Sequence, residues 1–151
     1  MTATATGTVP LIPSSVAGPS GAIHLPRLWQ KVLLSAKGQL HPEYDECGTG
    51  FDQMTLDALG LDREATLRYL RENLPSYPEF ERWVLQQKGG RLDRSTVEAH
   101  NAAIRGYIHK DSTRQAILSG AGIQDTGSIR DAATLNMLED WTEFHKALTG
   151  R

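Results

Sequence analysis

The residues best equipped for chemistry crowd into His41-Pro42-Glu43-Tyr44-Asp45-Glu46-Cys47, which brings an imidazole, carboxylates, a phenol and a thiol into one short stretch. General acid–base catalysis needs groups whose pKa values a partly dry site can push toward neutrality, and these types qualify. His41, Glu43, Asp45 and Cys47 are also metal-donor types, but no His-x-x-x-His or Glu-x-x-His spacing accompanies them. No metal is therefore expected. Cys47 as a nucleophile needs a base and a depressed pKa, neither visible in the sequence, so a small hydrophobe or a chance surface thiol is the plainer reading. Gly48-Thr49-Gly50 lacks the spacing and the Lys-Ser/Thr pair of a phosphate loop. With no cofactor motif present, no cofactor is expected.

A second group precedes that loop: His24, Arg27, Trp29 and Lys31. Trp29 follows the apolar stripe of a helix, where core packing is its default role. Lys31 falls roughly 200° around from it at about 100° per residue, a position that normally means solvent. Turned inward, Lys31 is an anion clamp, and Arg27 can instead grip a carboxylate of the acidic loop. The expected site lies between this helix and the loop. Arg27 or Lys31 holds an anion, His24, Tyr44 and Asp45 or Asp52 move protons, and Trp29 and Phe51 form an apolar wall. Acid–base work without redox fits this set: isomerisation, cyclisation, dehydration or hydrolysis of a small polar metabolite, carboxylated or not.

Helices must position these groups. Pro26 suits a first helical turn, and Leu28, Trp29, Val32, Leu33 and Ala36 recur at helical spacing up to Gly38. Asp52 to Leu59 reads as a second helix. Asp62 caps a third, with Leu67, Leu70 and Leu74 aligned until Pro75. Ser76 with Glu79, and Ser95 with Glu98, read as capping boxes for the fourth and fifth. A sixth starts at Asp111 or Ser112 and ends at Gly120-Ala121-Gly122. The last begins near Ser128 and aligns Leu135, Leu138, Trp141 and Leu148. His100 shares a face with Ile104 and Tyr107 and reads as a hydrogen-bonded core histidine, as does His145 beside Trp141. His109 is expected in solvent. No alternating strand is convincing, so the expected fold is all-α: a compact single-domain bundle of six to seven short helices over residues 21–149.

The first twenty residues carry no charge and alternate Thr with small residues before Pro10, Pro13 and Pro19. They read as an extended arm, disordered up to about residue 8 and draped on the domain through Val9, Leu11 and Ile12. The stretch lacks the basic start and apolar run of a secretory signal, and the single cysteine excludes an internal disulfide, so the cytoplasm is the expected compartment. The chain has 151 residues, 39% hydrophobic, with 16 basic against 18 acidic residues. That balance argues against nucleic acid as a partner, and no apolar run approaches the roughly 18–20 residues of a membrane span.

Leu25-Pro26-Arg27-Leu28, Lys31, Gly38-Gln39-Leu40, Glu43-Tyr44, Asp52-Gln53 and Leu59-Gly60-Leu61-Asp62 follow one another in an order that resembles the bacterial family called domain of unknown function 5069, over residues 21–148. The resemblance implies a helical bacterial domain and transfers no catalytic residue. Asp45 to Phe51 departs from the aromatic and proline residues expected there, as in a loop retuned for a particular ligand. Beside the small-molecule reading stands a second one, a protein–protein interaction module that docks through the uncharged arm. A homo-oligomer is compatible with either.

Overall fold

In the computed structural model, which describes residues 7–151, a proline in the first turn and a left-handed glycine at position 38 bracket helix α1 (Leu25–Ala36). Its inward face is Leu25, Leu28 and Val32, all fully buried, and Arg27 and Lys31 on the adjoining side are buried as well. Helix α2 (Phe51–Ala58) follows the acidic loop, and Gly60, also left-handed, reverses the chain after it. In α3 (Arg63–Asn73) the Asp62 carboxylate accepts from the Ala65 amide. In α4 (Tyr77–Gln87) Ser76 and Glu79 form the reciprocal capping box expected of them. Then come α5 (Arg94–Arg105), α6 (Asp111–Gly120) and α7 (Ala132–Thr149). The fold is all-α, with seven helices among the described residues.

Two helix starts differ from expectation. Asp93, not Ser95, caps α5: its carboxylate accepts from the Thr96 amide and from both the Ser95 and Thr96 hydroxyls, leaving Glu98 to pair with Arg94. An aspartate two residues upstream outcompetes the serine because one carboxylate satisfies several donors at once. Helix α7 starts at Ala132 rather than Ser128. The preceding residues are committed to an antiparallel bridge in which the His109 amide donates to Arg130 and the Ala132 amide to Tyr107.

The main core joins Leu28 and Val32 of α1, Leu56 of α2, Leu70 of α3, Phe80 and Val84 of α4 and Val97 of α5. Cys47 is buried in this cluster as a free thiol whose pKa is raised, first by burial and then by the Asp52 carboxylate. A smaller core joins Ile117 and Leu118 of α6 to Leu135 of α7. Burial on α7 is confined to its first turns, to Asp140. Trp141 and Leu148 are exposed, so the expected stripe does not continue inward, and His145 is exposed as well. No helix among the described residues is long and apolar enough to cross a membrane.

From residue 7 the arm is laid down on the domain. Thr8 pairs with Leu40 as a short parallel bridge, Val9 is buried, and the Gly7 α-carbon lies so close to the His41 backbone that a Cβ there would meet it at 2.8 Å. The expected disorder up to residue 8 therefore does not extend to Gly7 and Thr8, and for residues 1–6 it lies outside the described residues. Leu11 remains 42% exposed.

Candidate active site

The site begins with a backbone position that few residues occupy. His24, which precedes α1, has φ 72°, a left-handed conformation disfavoured for residues with a side chain by roughly 1–2 kcal/mol. Its neighbours hold it there. Its amide donates to Val16, while α5 grips the preceding residues: Asn101 accepts from the Ile23 amide, and His100 donates to the Ile23 carbonyl. The imidazole is buried, 2% exposed.

There it meets two groups. Its Nε2 lies 2.6 Å from Asp52 Oδ1, and its Nδ1 lies 2.9 Å from Ser14 Oγ. Asp52, in the first turn of α2, also accepts from Lys31 Nζ at 2.5 Å and from the Gly48 amide at 2.7 Å. The loop amide and the helix start favour negative charge at that carboxylate. Arg63 of α3 holds the loop in shape by donating to the Cys47 and Gly48 carbonyls.

Protonation follows from these contacts. Burial alone would raise the Asp52 pKa, but the His24 hydrogen bond and the Lys31 charge reverse that and hold it well below the usual carboxylate range. His24 is pushed below its ordinary value by burial, which outweighs the Asp52 hydrogen bond and charge, and the Lys31 and Arg27 charges lower it further. Asp52 is thus an acceptor only, and His24 is a neutral imidazole. Nε2 must carry the hydrogen given to Asp52, so Nδ1 presents a lone pair, and the Ser14 hydroxyl is the donor to it.

His24, Asp52 and Lys31 open on a cavity of about 250 Å³, which Phe51, Met54 and Tyr107 line with apolar and aromatic surface and His109 and Asn136 with polar groups. Phe51 stands edge-on to His24 at 5.7 Å and to Tyr107 at 5.5 Å. Hollows of about 300 and 360 Å³ lie elsewhere, beside Gly60 and Asp93 and beside Gly120 and Trp141, but neither gathers buried ionisable groups.

Five of the eight residues singled out in the sequence line this cavity: His24, Arg27, Lys31, Phe51 and Asp52. Three do not. Trp29 packs edge-on to Tyr77 and donates its indole N–H to Pro75, as the apolar stripe dictates. Asp45 is exposed. Tyr44 donates to Asp140 at 2.8 Å, and its phenol is held in the protonated form first by burial and then by that carboxylate. Arg27 clamps Asp140 of α7 with both Nη atoms, at 2.6 and 3.0 Å, rather than a loop carboxylate. The acidic loop is therefore split: its Cys47–Gly48 end turns inward, while Glu43 and Asp45 face water. No three His, Cys, Asp or Glu side chains among the described residues come together as a metal site. His41 is buried beside the arm, with Nδ1 accepting from the Glu43 amide.

The residues that sequence reasoning missed are Ser14, Tyr107, His109 and Asn136, brought in by the arm, by the bridge after α5 and by α7. His109 Nε2 donates to Asn136 Oδ1 at 2.8 Å instead of facing solvent. Comparison with family models, curated proteins and solved structures finds no match to this chain.

Proposed function

We propose that this chain is a small helical enzyme or ligand-binding protein that takes a small polar metabolite into the His24–Asp52 cavity and acts on it by acid–base chemistry without a cofactor. The observation that carries the reading is a neutral, buried imidazole held between a carboxylate and a hydroxyl at the wall of a cavity. A general base is most useful when unprotonated at working pH and fixed in one tautomer, and His24 meets both conditions. Structure also costs something here. A strained backbone, a buried lysine and a buried carboxylate are maintained together, a combination that clusters at functional sites.

Charge pairing narrows the ligand. Lys31 is matched by Asp52 and Arg27 by Asp140, so the cavity holds no uncompensated cation to attract a dicarboxylate. Of the small polar metabolites expected, carboxylated or not, this favours the uncharged ones. We assign the protein to the cytoplasm, in keeping with its single, buried, reduced thiol. The reading does not depend on the family resemblance, which transfers no activity.

The experiment is a metabolite screen by thermal shift. A true ligand at a hundredfold excess over its Kd should stabilise the protein by roughly 2.7 kcal/mol. That gain should vanish in His24→Asn, which removes the imidazole while keeping a residue that tolerates the left-handed backbone. Stabilisation that survives in His24→Asn would place the ligand elsewhere and end the proposal.

A further inference from the structure

The acid–base reading uses Ser14 only to hold the imidazole and gives its hydroxyl no reaction of its own. Ser14 is buried on a tight turn in which the Val16 amide donates to Pro13, and the chain is held on one side by α1 and on the other by His24. Gln30 accepts from the Ile12 amide at 3.2 Å, Arg27 donates to the Ile12 carbonyl at 3.0 Å, and the His24 amide donates to Val16 at 3.2 Å. A hydroxyl fixed in this way, donating to a neutral imidazole whose other nitrogen donates to a carboxylate, is a nucleophile, a base and an orienting group in hydrogen-bonded series. Asp52 engages Nε2 and Ser14 engages Nδ1, so the carboxylate, which can only accept, fixes the hydrogen on Nε2 and leaves Nδ1 to receive the serine proton.

We propose that Ser14 is the nucleophile of an acyl-transfer site and that the substrate class is a small, uncharged ester. The inference rests on the proposed use of the same cavity. Size and charge select the substrate: about 250 Å³ admits a short acyl chain, paired ions offer no seat for a free carboxylate, and Phe51, Met54 and Tyr107 supply apolar contact. In the first half-reaction Ser14 Oγ bonds to the ester carbonyl carbon while its proton passes to His24 Nδ1. The tetrahedral adduct then loses the alkoxide, which takes that proton and leaves as the alcohol. In the second half, water gives its proton to Nδ1 and adds to the acyl carbon. The carbon–Oγ bond breaks, Ser14 is reprotonated, and the carboxylic acid departs. Lys31 lines the cavity and spends only one of its three N–H donors on Asp52, which leaves hydrogen-bond donors rather than net charge for the oxyanion.

The probes are a small alkyl fluorophosphonate, which loses fluoride to an activated serine, and p-nitrophenyl acetate. The full chain is treated at neutral pH, and the adduct is mapped by mass spectrometry. Expected are a single adduct on Ser14, absent from exposed Ser15 and from Ser14→Ala, and a labelling rate at least a hundredfold lower in His24→Asn. Asp52 is a positioning residue, so its readout is the pH profile: Asp52→Asn should abolish the rise in rate that follows His24 deprotonation. Absence of an adduct on Ser14 in the native chain, labelling elsewhere, or an undiminished rate in folded His24→Asn overturns the inference. Should His24→Asn fail to fold, the Ser14 against Ser15 mapping on native protein decides alone. A ligand that stabilises the native chain but not His24→Asn, with Ser14 inert, would retain the acid–base reading and remove only the nucleophile.

Discussion

Replacing Asp52 by Asn tests the electrostatic core of the site. The carboxylate satisfies three donors at once, from His24, Lys31 and the Gly48 amide. An amide of the same shape offers one acceptor oxygen and turns an NH₂ group toward a donor. Lys31, 8% exposed, is then an uncompensated buried cation. Removing one partner of a buried ion pair costs about 3–5 kcal/mol. Because the cavity admits water to one side of the ammonium, the lower end applies, about 3 kcal/mol. For a chain of this size, that lowers the thermal midpoint by roughly 6–12 °C. The assay is urea denaturation at neutral pH, comparing midpoints at a common slope. Lys31→Met in the Asp52→Asn background removes the stranded charge and should restore at least about 2 kcal/mol. An Asp52→Asn midpoint within about 1 kcal/mol of the native value, or no recovery in the double variant, refutes the claim that Lys31 and Asp52 depend on each other.

Acidification should destabilise the fold early, as read by the thermal midpoint across a pH series. His24 and His100 both have folded pKa values lowered by burial, so the unfolded chain binds more protons and stability falls once the pH drops below roughly 6.5. Asp52, lowered in the fold by its partners, adds a further loss below the unfolded carboxylate value of roughly 3.9. Tyr44→Phe, which removes one hydrogen bond to Asp140, should cost about 1 kcal/mol in denaturation while leaving Ser14 labelling intact. Deleting residues 1–18 removes Val9 from its buried place and the Pro10 and Ile12 carbonyls from Arg27. It should lower the denaturation midpoint without changing the molecular mass in solution, whereas a change of oligomeric state would favour docking through the arm.

Helix periodicity and capping chemistry made most of the fold legible. The Ser76–Glu79 box, the Asp62 cap and the Pro26 entrance are local devices that act within one turn, so their residues announce them. The two misplaced helix starts depended on competition, between Asp93 and Ser95 in one case and between helix and bridge in the other. Lys31 was legible by type but not by direction, because a lysine on a polar-looking face turns inward only when a carboxylate from another helix waits for it. Ser14 was illegible. Its place depends on contacts from Arg27, Gln30 and His24, all at least ten residues away, and one serine in an uncharged arm carries no spacing signal. Tyr44 misled because a phenol beside acidic residues suggests proton transfer, whereas its partner is a carboxylate 96 positions along the chain.

Nitrogen NMR of isotope-labelled histidines at neutral pH examines the arrangement at its centre. The resonance of His24, assigned through its loss in His24→Asn, is expected to belong to a neutral ring with hydrogen on Nε2 and a bare Nδ1, titrating below the ordinary histidine value. A His24 ring carrying hydrogen on Nδ1, or doubly protonated at neutral pH, would contradict that arrangement, since Ser14 would then have no base to receive its proton.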